Sequence, residues 1–428
     1  MSVETKTLNS LLILMLLLTT SRAEDWPQFL GPKADGIHSS AVPTKWSDEN
    51  NITWKTLLPG PGSSSPIISS GRIFVASYSG YGLDPSSPGE LDDLQRHLNC
   101  YNPASGEKLW QQDVQAVLPE DPYTGFLREH GYASSTPVSD GENVFVFFGK
   151  SGVHAFSHGG RKLWQTSVGR ESGNRRWGSA ASPVLFGDKI IVNASEESQS
   201  IRALDKKTGK ELWKAEGSIL ELVYTTPRVV TFSNGRSDIV VPAPGEIWGI
   251  NPDTGKLRWF AETPIPGNVS PSVQVNGDLI YAFGGYPQRF TIALKAGDKG
   301  DLTSNIKWTQ RRAPYIPTPV LFEGHLYWMD RSGVAYCARE SDGELVYQER
   351  IRAGRSGIKN YASPVVAGGM IYYSTRNAGT FVIEASPKFR QIDHNVISSD
   401  PSDFSATPAF HENQIFLRSG RYLYCISD

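Results

Sequence analysis

A Ser or Thr followed by Pro recurs along the chain, at Pro66, Pro137, Pro183, Pro227, Pro271, Pro319, Pro364 and Pro408, with intervals of 71, 46, 44, 44, 48, 45 and 44 residues. A period of roughly 45 residues is the mark of an array whose units cannot bury their apolar faces alone and stack to do so. Within a unit the order also repeats. Pro opens a short apolar strand (Pro183-Val184-Leu185), a Gly-Asp pair turns the chain (Gly187-Asp188, Gly277-Asp278), and a hydrophobic strand follows (Ile190-Ile191-Val192).

The third strand and its turn carry the sharpest pattern. Ala203-Leu-Asp205-Lys-Lys-Thr-Gly209-Lys-Glu-Leu-Trp213 returns from Cys100 to Trp110 and from Gly249 to Trp259, and more loosely from Cys337 to Tyr347. Asp or Asn can bond its own backbone two residues on, and Gly takes a left-handed turn position that strains other residues. Trp54, Trp110, Trp164, Trp213, Trp259 and Trp308 hold one place in the repeat, which assigns them to packing between units. Four short strands per unit with no helical pattern between them define an all-β, eight-bladed β-propeller.

The two ends complete one blade. The last unit, from Pro408, lacks a Trp strand, whereas Asn51-Ile-Thr-Trp54-Lys-Thr-Leu57 is a Trp strand without a unit. The N-terminal strand is therefore expected to close the last blade, leaving no open edge. Residues 51–428 form one domain, and residues 24–50 form a leader packing on it.

Composition narrows the setting. The run at residues 11–18 (LLILMLLL) is too short to cross a bilayer and is followed by Ser21-Arg22-Ala23, a small-x-small cleavage pattern. Residues 1–23 read as a signal peptide, which places the mature chain outside the cytoplasm, secreted or periplasmic and not membrane-spanning. A net charge of −2 argues against nucleic acid as a partner. Three cysteines cannot make a disulfide scaffold, and Cys100, Cys337 and Cys425 share one third-strand register, as small buried residues would.

The motif at 203–213, together with Asp25-Trp-Pro-Gln-Phe-Leu-Gly-Pro32, resembles the PQQ-binding-like β-propeller repeat family, in particular its secreted bacterial branch. The resemblance implies eight blades and an axial ligand-bearing face. That family is similar across quinone-dependent alcohol dehydrogenases and a non-catalytic outer-membrane assembly lipoprotein. The dehydrogenases it implies carry adjacent cysteines and a carboxylate–amide cluster for Ca²⁺. This chain has no Cys-Cys pair, and no cofactor is expected for it. Pyrroloquinoline quinone and Ca²⁺ belong only to the alternative reading, a quinone-dependent dehydrogenase. The lipoprotein's lipid-attachment cysteine is also missing.

The long connections all fall on one face of such a ring: an insertion at 79–98 and an inter-blade segment at 113–134. That face gathers Tyr132, Lys150, Arg175, Arg176, Trp177, Tyr224, Arg289, Arg312, Tyr315, Arg331, Arg355, Lys359, Tyr361, Arg376 and Arg418. Arg forks suit carboxylate, phosphate or sulfate, and aromatic rings stack on flat groups. The expectation is a monomeric, non-catalytic scaffold. Its basic axial face would bind an anionic small molecule, a glycan, or a peptide or protein partner.

Overall fold

The computed structural model describes residues 24–354 and 357–428. The signal-peptide reading of residues 1–23 and the candidate Arg355 lie outside them. Eight antiparallel sheets stand around an axis. In chain order the blades cover residues 67–115, 138–166, 184–216, 228–262, 274–310, 320–350 and 365–395. The eighth joins residues 409–426 to the N-terminal strand Ile52–Leu57. That strand runs antiparallel to the last strand of the chain, Tyr422–Ile426, with Trp54 opposite Cys425. The ring is closed as its two ends foretell.

A small residue on the third strand faces the outer-strand aromatic in blade after blade: Cys100 opposite Trp110, Ala155 opposite Trp164, Ala203 opposite Trp213, Cys337 opposite Tyr347. A shift of register follows at that point in each blade, so the outer strand bends and aims its ring at the next blade. There the indole N–H finds a carbonyl. Trp54 donates to Pro103, Trp110 to His158, Trp164 to Lys206, Trp213 to Pro252 and Trp308 to Glu340. The ring lies on the turn glycine of that neighbour, where a Cβ on Gly209 would stand 2.5 Å from Trp164.

Trp259 departs from this pattern. Its N–H donates at 2.8 Å to Asp238 of its own blade, and Arg236 and Arg258 flank the same carboxylate. The next blade reaches it differently, through Gly300–Asp301, which pairs in parallel with the outer strand at Trp259 and Phe260. The six tryptophans are thus five that dock on a neighbour and one that clamps its own sheet.

The Ser/Thr-Pro repeat has a structural reason. Ser65, Thr136, Ser182, Thr226, Ser272, Thr318, Ser363 and Thr407 form a ring around the axis. At seven junctions the backbone N–H of one donates to the hydroxyl oxygen of the next, at 2.9–3.1 Å. At the remaining junction the Ser272 hydroxyl donates to the Thr226 carbonyl. The hydroxyl in blade 5 therefore follows Pro271 instead of preceding it. This turns the uneven proline intervals of 44 and 48 into 46 and 46 between hydroxyls.

Residues 24–50 enter from the opposite face. Trp26 pairs with Ile68 of blade 1, and the Pro27 carbonyl accepts from Ser139 of blade 2. Arg228 of blade 4 donates to the Ala34 carbonyl, and Ile37–His38 adds in parallel to the inner strand of blade 7. Together with the His38 ring bonded to the Glu412 carbonyl of blade 8 at 2.7 Å, these contacts across the ring lay the segment over the axis, with Trp26, Leu30, Val42 and Trp46 buried. Among the described residues no helix is long and apolar enough to cross a membrane.

Candidate functional site

The loops between second and third strands, and those leading to the next blade, lie at one end of the ring. The largest of them joins blades 1 and 2 and contains a one-turn helix, Leu127–His130. It crosses the axial mouth. Phe126 packs 4.5 Å from Trp177 and 6.3 Å from Tyr315. On the far side Glu129 pairs with the Arg376 guanidinium, with Lys359 at 3.6 Å. Arg376 also holds Asp403 at 2.6 Å and lies over the Tyr361 ring.

Under this segment the axial chamber has a volume of about 160 Å³. Phe29 of the leader is at its floor and the hydroxyl ring lines its wall. Phe126, Trp177, Tyr224, Tyr315 and Tyr361 stand above. Besides the tyrosine hydroxyls, the ionisable groups that reach it are Glu129 and His130. His130 bonds Ser134 and the Trp177 carbonyl through its two ring nitrogens, and burial lowers its pKa, so it is held neutral.

The candidate residues from the sequence share this end of the ring but not one environment. Lys150 is buried, with Asp121 at 3.1 Å and Ser172 at 2.7 Å. Tyr132 is buried among Tyr78, Tyr81 and Tyr123. Tyr224 donates to Glu196. Arg418 is wholly buried at the seam between blades 8 and 1, where it donates to the Ser64 carbonyl. Burial pushes its pKa down to about 9, and its Nε and Nη2 find no partner within the protein. Lys150, Tyr132 and Arg418 hold the scaffold together and are closed to a partner, whereas Tyr224 keeps its ring in the chamber wall.

The exposed cations gather elsewhere. Arg289 and Arg331 stand on loops of blades 5 and 6, with Arg311 and Arg312 on the connection between them. They line two adjoining grooves of about 360 and 380 Å³ that share Arg289 and Asp330. Tyr286, Tyr315, Trp328 and Tyr336 complete the walls, with Arg331 over the Tyr315 ring at 5.9 Å. Asp330 is engaged by Ser332 and the Tyr336 hydroxyl. Among the described residues none of these four guanidinium groups is within ion-pairing distance of a carboxylate. Arg175 lies over Trp177 beside the chamber, with exposed Arg176 next to it.

Phe126, Glu129, Glu120 and Asp121 were not singled out in the sequence, because each acts through a tertiary partner: Glu120 and Asp121 in the two adjoining blades, Phe126 and Glu129 across the mouth. Seven of the eight hydroxyls were visible as the residue before a repeated Pro; Ser272, which follows Pro271, was not.

An eight-bladed ring with a hydroxyl- and aromatic-lined axial chamber defines the class. Residues 95–313, just over half of the chain, match the family described as outer membrane protein assembly factor BamB, and the chain belongs to this family of PQQ-like propeller repeats. It is similar to the assembly factor BamB of Moranella endobia (strain PCIT), with 23% identity over 52% of this chain and 59% of that protein. It is also similar to a polyvinylalcohol dehydrogenase of a Pseudomonas species, with 21% identity over 71% of this chain and 47% of that protein. The chain thus spans only about half of the length of each of these relatives. Among solved structures, BamB from Moraxella catarrhalis superposes with a TM-score of 0.62 at 13% identity, covering 88% of this chain and 97% of that one. A europium-containing methanol dehydrogenase gives 0.62 at 10%, covering 95% and 98%. Likeness at this level shows the fold.

The residues here do not fit a Ca²⁺-held anionic quinone. No three His, Cys, Asp or Glu side chains converge as ligands among the described residues. The chamber's one carboxylate is already paired to Arg376, and the three cysteines are free and in separate blades.

Proposed function

We propose that the protein is a non-catalytic docking scaffold of the cell envelope. It binds an acidic segment of a partner protein in the arginine grooves of blades 5 and 6. One observation carries this reading: Arg289, Arg311, Arg312 and Arg331 converge on adjoining grooves with no carboxylate pairing them among the described residues. Like charges held this close repel one another, and an anionic partner offsets that repulsion. The neighbouring Tyr and Trp side chains supply the apolar contact that turns charge attraction into a defined site. Kinship with an outer membrane assembly factor supports a protein partner, and the apolar run at residues 11–18 supports export.

The test uses a fluorescein-labelled octaglutamate peptide, followed by anisotropy. Binding to the full chain is expected to weaken at least tenfold in R289A/R312A, and to fall steeply with added salt. Equal affinity for the variant, or affinity indifferent to salt, would overturn the reading.

A further inference from the structure

The axial chamber has a chemistry opposite to that of the grooves outside it. Seven ring hydroxyls already accept a backbone N–H, and none of the seven donates its own hydrogen to a protein acceptor among the described residues. A hydroxyl has one donor to place, so these hydrogens are free for acceptors inside the chamber. Ser405 Oγ, also in the wall, is buried without a partner in the protein.

Charge narrows the occupant further. Among the described residues no Lys or Arg lines the chamber, so an anion would meet no counter-charge in its wall. A cation would find Glu129 taken by Arg376 and Lys359, and the Trp177, Tyr315 and Tyr361 rings already covered by Arg175, Arg331 and Arg376. His130 is neutral, with both ring nitrogens engaged. The chamber therefore favours an uncharged molecule.

Shape supplies the rest. Trp177 and Tyr224 stand 5.7 Å apart, and Phe126 closes against Trp177 and toward Tyr315. Such walls take a flat or C–H-rich face, while the hydroxyls below need a surface studded with oxygens. At about 160 Å³ the space is below the ~300–1,000 Å³ of sites for drug-sized ligands, which limits the occupant to about one ring. Half-exposed Trp177 and Tyr361 carry the wall out to solvent.

We propose that the axial chamber binds a neutral polyhydroxylated ring, a single sugar unit, with one face against Trp177 and its oxygens on the hydroxyl ring. This site shares the Tyr315 ring with the neighbouring groove but none of the four groove arginines.

Methyl glycosides of glucose, galactose, mannose and N-acetylglucosamine would be titrated singly into the full chain by calorimetry, with saturation-transfer NMR reporting which face is held. Pyrroloquinoline quinone and choline serve as anionic and cationic comparisons. At least one glycoside is expected to bind below about 10 mM. W177A should weaken it at least tenfold, T318V at least threefold, and R289A/R312A should leave it unchanged. Half-exposed Trp177 is removable without opening the core, and T318V, which keeps the volume, provides a second reading if W177A is unstable. The proposal is overturned if no glycoside binds, if neither W177A nor T318V weakens binding, or if the quinone or choline binds more tightly than every glycoside.

Discussion

Trp213 and Gly255 show how one residue pair carries the assembly of the ring. The indole, nearly buried, donates at 2.9 Å to the Pro252 carbonyl of the next blade, and its face rests where Gly255 leaves room. Gly255 also has a φ of 70°, the left-handed region, and a Cβ there would lie 2.5 Å from the indole. Two demands thus fall on one glycine. Trp213→Ala is expected to cost about 3–5 kcal/mol, from lost apolar contact and the space it leaves. Gly255→Ala should cost at least about 1–3 kcal/mol from backbone strain, with the clash in addition. Denaturant unfolding measures both, and loss of less than about 1 kcal/mol from the Trp change would contradict the docking role. This pairing was legible in the sequence, because Gly and Trp keep a fixed spacing and each has a local reason to be there. The turn of Trp259 toward Asp238 left a single trace, Gly249, which stands where most other blades carry Ala or Cys: a Cβ there would lie 1.9 Å from the indole that now rests on its own sheet.

The segment between blades 1 and 2 is the element on which the functional face depends. Its Glu120 and Asp121 meet Arg96 and Lys150 beneath the surface, and Glu129 pairs across the mouth with Arg376. Its length alone marked it as unusual; its partners are set by tertiary structure and left no trace in spacing. The same network contains Glu196 and Glu197. Glu197 is 2% exposed, accepts from Ser179 and leaves one oxygen without a partner. Burial, reinforced by nearby Glu196 and Glu120, pushes its pKa up to about 8 from 4.5, and burial raises Glu196 in the same direction. The folded state therefore binds a proton more tightly than the unfolded one. This stabilisation is complete below about pH 4.5 and is lost as pH rises through about 8. Thermal unfolding followed from pH 6.5 to 8.5 should show the melting temperature falling in the native chain. Glu197→Gln, which keeps the shape without the ionisation, should flatten that fall. An unchanged slope in the variant would contradict the buried, protonated state.

At the scale of the molecule, closure and function divide the ring's two faces. The leader lies across one end, reaching blades 1, 2, 4, 7 and 8, while the long loops build the other around a capped chamber and the arginine grooves. The eight-fold architecture could be read from the chain because repetition imposes it on each unit independently. The division of the basic residues could not. Arg376 and Lys150 are consumed by carboxylates from the inter-blade segment and Arg418 by the closing seam, whereas Arg289, Arg311, Arg312 and Arg331 meet no carboxylate partner among the described residues. In the sequence all of them look alike, as cations on long-face loops. The burial of each is decided by which blade stands opposite.

The central claim is that partners dock at the unpaired arginines of blades 5 and 6. Amide hydrogen exchange with and without saturating octaglutamate tests it most directly. The account predicts slowed exchange confined to residues 286–290, 311–315 and 330–334, with the leader face unchanged. Protection centred on another blade, or spread evenly around the ring, would contradict it.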